Sequence, residues 1–187
     1  MPYTVAEFVA DCRKSLIQDS GKRGQDDVYS HLLKLLADPA DLLSRIGENA
    51  APGRYAIHHD PITDMYVFAH VYQDEGRSHA HDHGPCWIIY GNVSGRTDMI
   101  EWRRLDDGSQ EGVAKLEKEK EYSVTAGEAA IFRNGAIHST YHPAGPSMLV
   151  RVISGDMDSV WRHTFDPAKG TIKDRPPKEK TAATASH

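Results

Sequence analysis

The tripeptide His81-Asp82-His83 sets two imidazoles one residue apart, and a third, His138, follows 55 residues after His83. Side chains alternate along a β-strand, so His81 and His83 are expected to project from one face. A further imidazole from a distant strand then closes a facial triad on a first-row divalent metal. Three neutral imidazoles without a carboxylate leave the full charge of the cation on the site and several coordination positions free. Such a centre suits small, anionic, chelating substrates, and O2 chemistry becomes the leading expectation. Asp82 points away from the metal on a regular strand and reads as a hydrogen-bond acceptor that steadies its neighbours.

The surrounding pattern shows what positions these groups. Residues 4–47 read as helical. Thr4-Val5-Ala6-Glu7 is a capping-box sequence, and Val5, Phe8, Val9, Cys12 and Leu16 follow at helical spacing. Val28, Leu32, Leu33, Leu35 and Leu36 form a second stripe, and Asp38-Pro39 starts a short third helix that Gly47 ends. From about Arg54 the texture changes to short strands separated by Gly, Asn and Asp turns, which implies a sandwich or barrel. The strand from Met65 to Tyr72 alternates Tyr66, Phe68, His70 and Tyr72 against Met65, Val67, Ala69 and Val71, so both of its faces are expected to be covered. Alternating charges at 117–121 mark the solvated face of an edge hairpin. The expected organisation is a helical arm over 1–50, a barrel over 51–168, and a disordered polar tail over 169–187.

The histidine spacing resembles the cupin superfamily, whose first motif places a Gly eleven or twelve residues after the second histidine; His83 to Gly95 is twelve. Its second motif is matched in register by Gly127, Gly135 and His138, with Arg133 where Pro is usual. The resemblance implies an all-β core, a cupin double-stranded β-helix (jelly-roll barrel), with an N-terminal helical arm. The usual cupin Glu is absent, since Trp87 and Ile88 stand at its positions. A three-histidine cupin with His-Asp-His-Gly in its first motif is similar to the thiol dioxygenases, such as cysteine dioxygenase and 3-mercaptopropionate dioxygenase. That likeness implies Fe(II) held by His81, His83 and His138, with Ni, Zn or Mn as alternatives. It also implies a thiolate and O2 at the remaining positions and a sulfinate product.

The chain departs from that family at three places. The Ser-x-His-x-Tyr relay is replaced by Leu149, Arg151 and Ile153. The family's carboxylate-binding Arg falls at Ile57, and Cys86 stands three residues after His83, too early for the family's crosslinking cysteine. These departures imply a substrate other than free cysteine. Arg151, alone among apolar strand residues, is the best substitute anchor for a carboxylate. Arg54 and Arg133 are weaker candidates. Tyr90 and Tyr141 are candidate donors to bound oxygen, and His70 and Tyr72 are expected to line a substrate cavity. His79 reads as an outer or solvent-facing group and Trp87 as packing.

Composition bounds the remainder. A net charge of −5 with no basic block argues against nucleic acid, and no apolar run is long enough for a bilayer. Two cysteines build no disulfide framework, so the cytoplasm is the expected compartment. The expected partners are a small anionic substrate and O2, in a monomer or homodimer. Two other readings stay open: a three-histidine cupin of other activity (diketone- or flavonol-type cleavage, or Ni/Zn lyase or isomerase work), and a non-catalytic small-molecule-binding cupin.

Overall fold

Thr4 starts the first helix in the manner its spacing predicts. Its hydroxyl accepts the Glu7 N–H at 3.2 Å, and the Glu7 carboxylate accepts the Thr4 N–H at 2.8 Å. The computed structural model describes residues 3–47 and 49–178. Three helices come first: α1 (Val5–Gln18), α2 (Lys22–Ala37) and α3 (Ala40–Ile46). Twelve strands follow: β1 (Gly53–Asp60), β2 (Met65–Tyr72), β3 (Gly76–Arg77), β4 (Ala80–His81), β5 (Ile88–Ser94), β6 (Arg96–Arg104), β7 (Leu116–Thr125), β8 (Ala129–Phe132), β9 (Ile137–His142), β10 (Ser147–Ile153), β11 (Arg162–Asp166) and β12 (Thr171–Arg175).

The strands form two antiparallel sheets. One runs β1-β2-β10-β5-β8, and the other runs β12-β11-β4-β9-β6-β7 with β3 paired to β9. Between β4 and β11 the chain passes repeatedly from one sheet to the other. That winding is a cupin-type double-stranded β-helix, with the helices as an N-terminal arm. No helix among the described residues is long and apolar enough to cross a membrane.

Alternation along the strands sorts the residues into two cores. On β10, Val150 and Val152 point outward to the helices with Met65, Val67, Trp87 and Ile89. They meet Phe8, Cys12, Leu32, Leu35 and Leu42 there, and each fully buried side chain of this size contributes about 1.5–3 kcal/mol. Leu149 and Ile153 point the other way, into the barrel, with Ile88, Tyr90, Met99 and Phe132. Arg151 has their parity, so a guanidinium enters the barrel interior. The arm is also tied by charge: Arg13 of α1 donates to both carboxylate oxygens of the fully buried Asp60 at 3.0 and 3.1 Å. Arg133 bonds Gln25 and Asp26 of α2, which removes it from the candidate anion anchors.

Gly95 explains the twelve-residue motif spacing physically. Its φ is +73°, and a Cβ there would stand 2.4 Å from the Ser147 Cβ, so the β5–β6 turn accepts no side chain.

Two expectations need correction. The disordered tail does not begin at 169: Thr171–Arg175 is β12, paired along its length with β11. Asp166 accepts the Ala168 and Lys169 N–H groups to form the turn, and Ile172 packs beside Phe165 and Ala114. A polar edge strand needs only one apolar face, which a low-hydrophobicity segment can supply. The rest of the expected tail, 179–187, lies outside the described residues. Secondly, His81 and His83 do not share one strand. β4 ends at His81, and His83 lies in the turn that follows.

Candidate metal centre

His81 of β4 and His138 of β9 are direct cross-strand partners in one sheet. His83 reaches the same point from the turn beyond β4. That turn is built by Asp82, whose Oδ1 accepts the Gly84 N–H at 3.1 Å and the His163 N–H at 2.9 Å. The His163 ring lies with Nδ1 2.7 Å from Asp82 Oδ2. Asp82 is thus the orienting acceptor expected of it, with His163 as a partner that no spacing indicated. Gly84 has φ +56°, and a Cβ there would lie 2.1 Å from the Trp161 carbonyl oxygen, so the turn packs closely on the start of β11.

Each of the three histidines offers a ring nitrogen, and these nitrogens lie within 4.8 Å of one another. His81 Nδ1 lies 2.8 Å from the His79 carbonyl oxygen, which fixes the proton on Nδ1 and leaves Nε2 free to ligate. His79 itself is exposed. His83 and His138 are buried, and each has an Nδ1 with no hydrogen-bond partner. Burial, then the neighbouring imidazoles and Arg151, holds the proton affinity of both far below the usual histidine range; Arg162 adds to this at His83. Neutral, incompletely bonded imidazoles, two buried and one half-buried, fit a divalent cation. Phe132 stacks on the His138 ring with centroids 3.8 Å apart and holds it in place.

The opposite sheet supplies the groups that face the triad. The Tyr90 hydroxyl lies 3.3 Å from His83 Nε2 and 3.2 Å from His138 Nε2. Arg151 Nη2 donates to the same hydroxyl at 3.3 Å. Burial raises the Tyr90 pKa although Arg151 opposes it, so the phenol stays protonated. No carboxylate of the described residues pairs with Arg151, and its buried Nε has no partner.

Arg151 also lines a cavity of about 370 Å3, within the range of small-molecule sites. Tyr66, Phe68 and His70 form one wall; Arg54, Arg162 and the loop at Asp156–Asp158 form the others. No metal-site histidine lines it, and Arg151 and Tyr90 connect the two spaces. His70 lies in this wall, its pKa pushed down to about 3 by burial and then by Arg151 and Arg54. Tyr72 does not reach the cavity: it stacks on His142 with centroids 4.2 Å apart. Tyr141 is turned away as well, with its hydroxyl on Glu75 and its ring under Arg77. Trp87 packs under the helices. Arg162 was missed in the sequence. Its only signal was parity on a strand whose pairing partners lie far away.

No protein-family model matches this chain, and no curated protein matches it. Solved structures that resemble it include KdgF from Halomonas sp., at 14% identity over 55% of this chain and 77% of that one, with a TM-score of 0.42. Another is oxalate oxidase in complex with the substrate analogue glycolate, at 19% identity over 60% of this chain and 57% of that one, TM-score 0.42. A third is an uncharacterized conserved protein with a double-stranded beta-helix domain from Klebsiella pneumoniae, at 16% identity over 73% of this chain and 89% of that one, TM-score 0.40. At this level of likeness the fold assignment rests on the strand order above. The chain is a cupin-fold protein whose three-histidine cluster is arranged for a divalent metal.

Proposed function

We propose that this protein is an Fe(II)-dependent oxidoreductase that uses O2 to convert a small thiol carboxylate into its sulfinate. One observation carries the reading: three neutral imidazoles with no acid in their cluster lie one tyrosine hydroxyl away from a half-buried Arg151, which no carboxylate of the described residues pairs. An iron held by His81, His83 and His138 would supply open positions and redox chemistry for a thiolate and O2. In the balanced reaction RS⁻ + O2 → RSO2⁻, both oxygen atoms pass to sulfur and no further reductant is needed.

The chain's own groups bind and orient. Arg151 forks the substrate carboxylate and so holds the thiol end toward the histidines, replacing a bimolecular encounter by proximity. The Tyr90 hydroxyl, still protonated, is placed to donate to a polar atom beside the triad. Phe132, Leu149 and Met99 keep the interior dry.

Leu149 and Ile153, where thiol dioxygenases carry polar relay residues, favour a second reading. In it the same centre cleaves a carbon–carbon bond with O2 or, holding Ni or Zn, works as a lyase or isomerase. The test is metal analysis of protein purified without added metal, followed by O2 uptake against a panel of thiol acids. Iron, with one sulfinate formed per O2 consumed, supports the first reading. Anaerobic turnover at full rate overturns it.

A further inference from the structure

We infer that the acid accepted by this site is a dianion, with one anionic group on Arg151 and the second on Arg162. The inference rests on reading Arg151 as the carboxylate anchor and goes on to name the substrate class.

Two guanidiniums line the same cavity, and each buries an Nε atom that no group of the described residues meets. A buried charged donor without an acceptor is costly, and a single carboxylate occupies only one such fork. Arg162 has one carboxylate within ion-pair range, Asp158, at 3.6 Å. That carboxylate is bonded more closely by Lys178, whose Nζ lies 2.9 Å from it. The Lys178 backbone N–H also donates to the Asp158 carbonyl oxygen at 2.8 Å, so the C-terminal segment straps Asp158 on its own side. Arg162 is therefore left weakly paired. Arg54 adds a third guanidinium to the lining, resting over the Phe68 ring. Asp156 is the one carboxylate of the lining that pairs with no cation among the described residues, and the guanidiniums outnumber the acids. The cavity that Arg151 lines is about 370 Å3 and also holds Arg162 and Arg54, so it has room for a group past the first carboxylate.

Succinate and propionate differ by one carboxylate and test this directly. Their binding is measured by calorimetry on metal-loaded and on chelator-treated protein. Succinate is expected to bind at least about tenfold more tightly than propionate, with the preference shrinking as salt is added. In Arg162→Gln the two acids should converge while propionate affinity holds. Asp158→Asn, which releases Arg162 from its remaining carboxylate, should strengthen succinate further. Equal affinities in the wild-type protein, no binding of either acid, or a preference that survives Arg162→Gln would overturn the inference. Unchanged or weaker succinate binding in Asp158→Asn would do the same and covers the case in which Arg162→Gln fails to fold. If succinate is preferred while no metal is retained, the proposed reaction fails and the dianion site stands. If O2 uptake appears without a succinate preference, the reverse holds.

Discussion

Arg151 and Tyr90 face each other directly across β10 and β5, and the guanidinium donates to the phenol oxygen at 3.3 Å. The same oxygen lies within 3.3 Å of ring nitrogens of His83 and His138. One cross-strand pair thus links the guanidinium that lines the cavity to the three-histidine cluster.

Replacing Arg151 should separate binding from stability. It pairs with no carboxylate among the described residues, so Arg151→Gln breaks no ion pair there and should leave the thermal midpoint unchanged or higher. Losing a charge-assisted fork to a carboxylate should raise KM about 10- to 100-fold. Tyr90→Phe should leave KM close to wild type and lower kcat. Steady-state kinetics beside a melting curve read both effects. A large fall in melting temperature for Arg151→Gln would mean the arginine is structural.

Metal retention should depend on each imidazole. His83→Ala and His138→Ala should each reduce bound metal to a small fraction of one equivalent, measured by elemental analysis after gel filtration. His79→Ala, which keeps the carbonyl that accepts from His81, should retain a full equivalent. Equal metal in all three variants would remove the triad from consideration.

Acid should destabilise the metal-free protein in a defined window. His70, His83 and His138 have folded-state pKa values below the unfolded value of 6.5, all three through burial first. The unfolded chain then binds more protons than the folded one as pH falls below 6.5. Stability is complete above that value and is lost on acidification, for His70 down to about pH 3. The slope is at most about 1.4 kcal/mol per pH unit for each such histidine. Urea midpoints at pH 7.5 and 5.0 check the sign, and His70→Leu should flatten the profile. Stability unchanged between these pH values would refute the assignment.

Asp82 should matter to metal without touching it. Asp82→Ala removes the acceptor for the Gly84 and His163 N–H groups and unpins the turn that carries His83. A loss of about 1–3 kcal/mol in stability and faster metal release to a chelator are expected. Asp82→Asn, which keeps one acceptor oxygen, should recover part of both. Release at the wild-type rate in Asp82→Ala would leave the residue a purely local role.

Much of this molecule was legible in the sequence because it depends on short-range pattern. The Thr4–Glu7 cap follows from a four-residue pattern, and the helical stripes of Phe8, Cys12, Leu32 and Leu35 from a period of 3.6. The polar edge strand after Gly170 was not legible, since its composition matches that of a solvated tail and only pairing with β11 distinguishes the two. His83 joins the cluster expected from its spacing, although the strand assumed for it ends two residues earlier, at His81.

The sequence by itself determined which side chains carry imidazole donors and at what spacing, because donor chemistry belongs to the side chain. Tertiary structure alone decided which cations share a cavity. Arg54, Arg151 and Arg162 come from three separate strands, and Tyr90 from a fourth. Their meeting depends on crossover connections and sheet register, which are non-local, and no spacing along the chain encodes them.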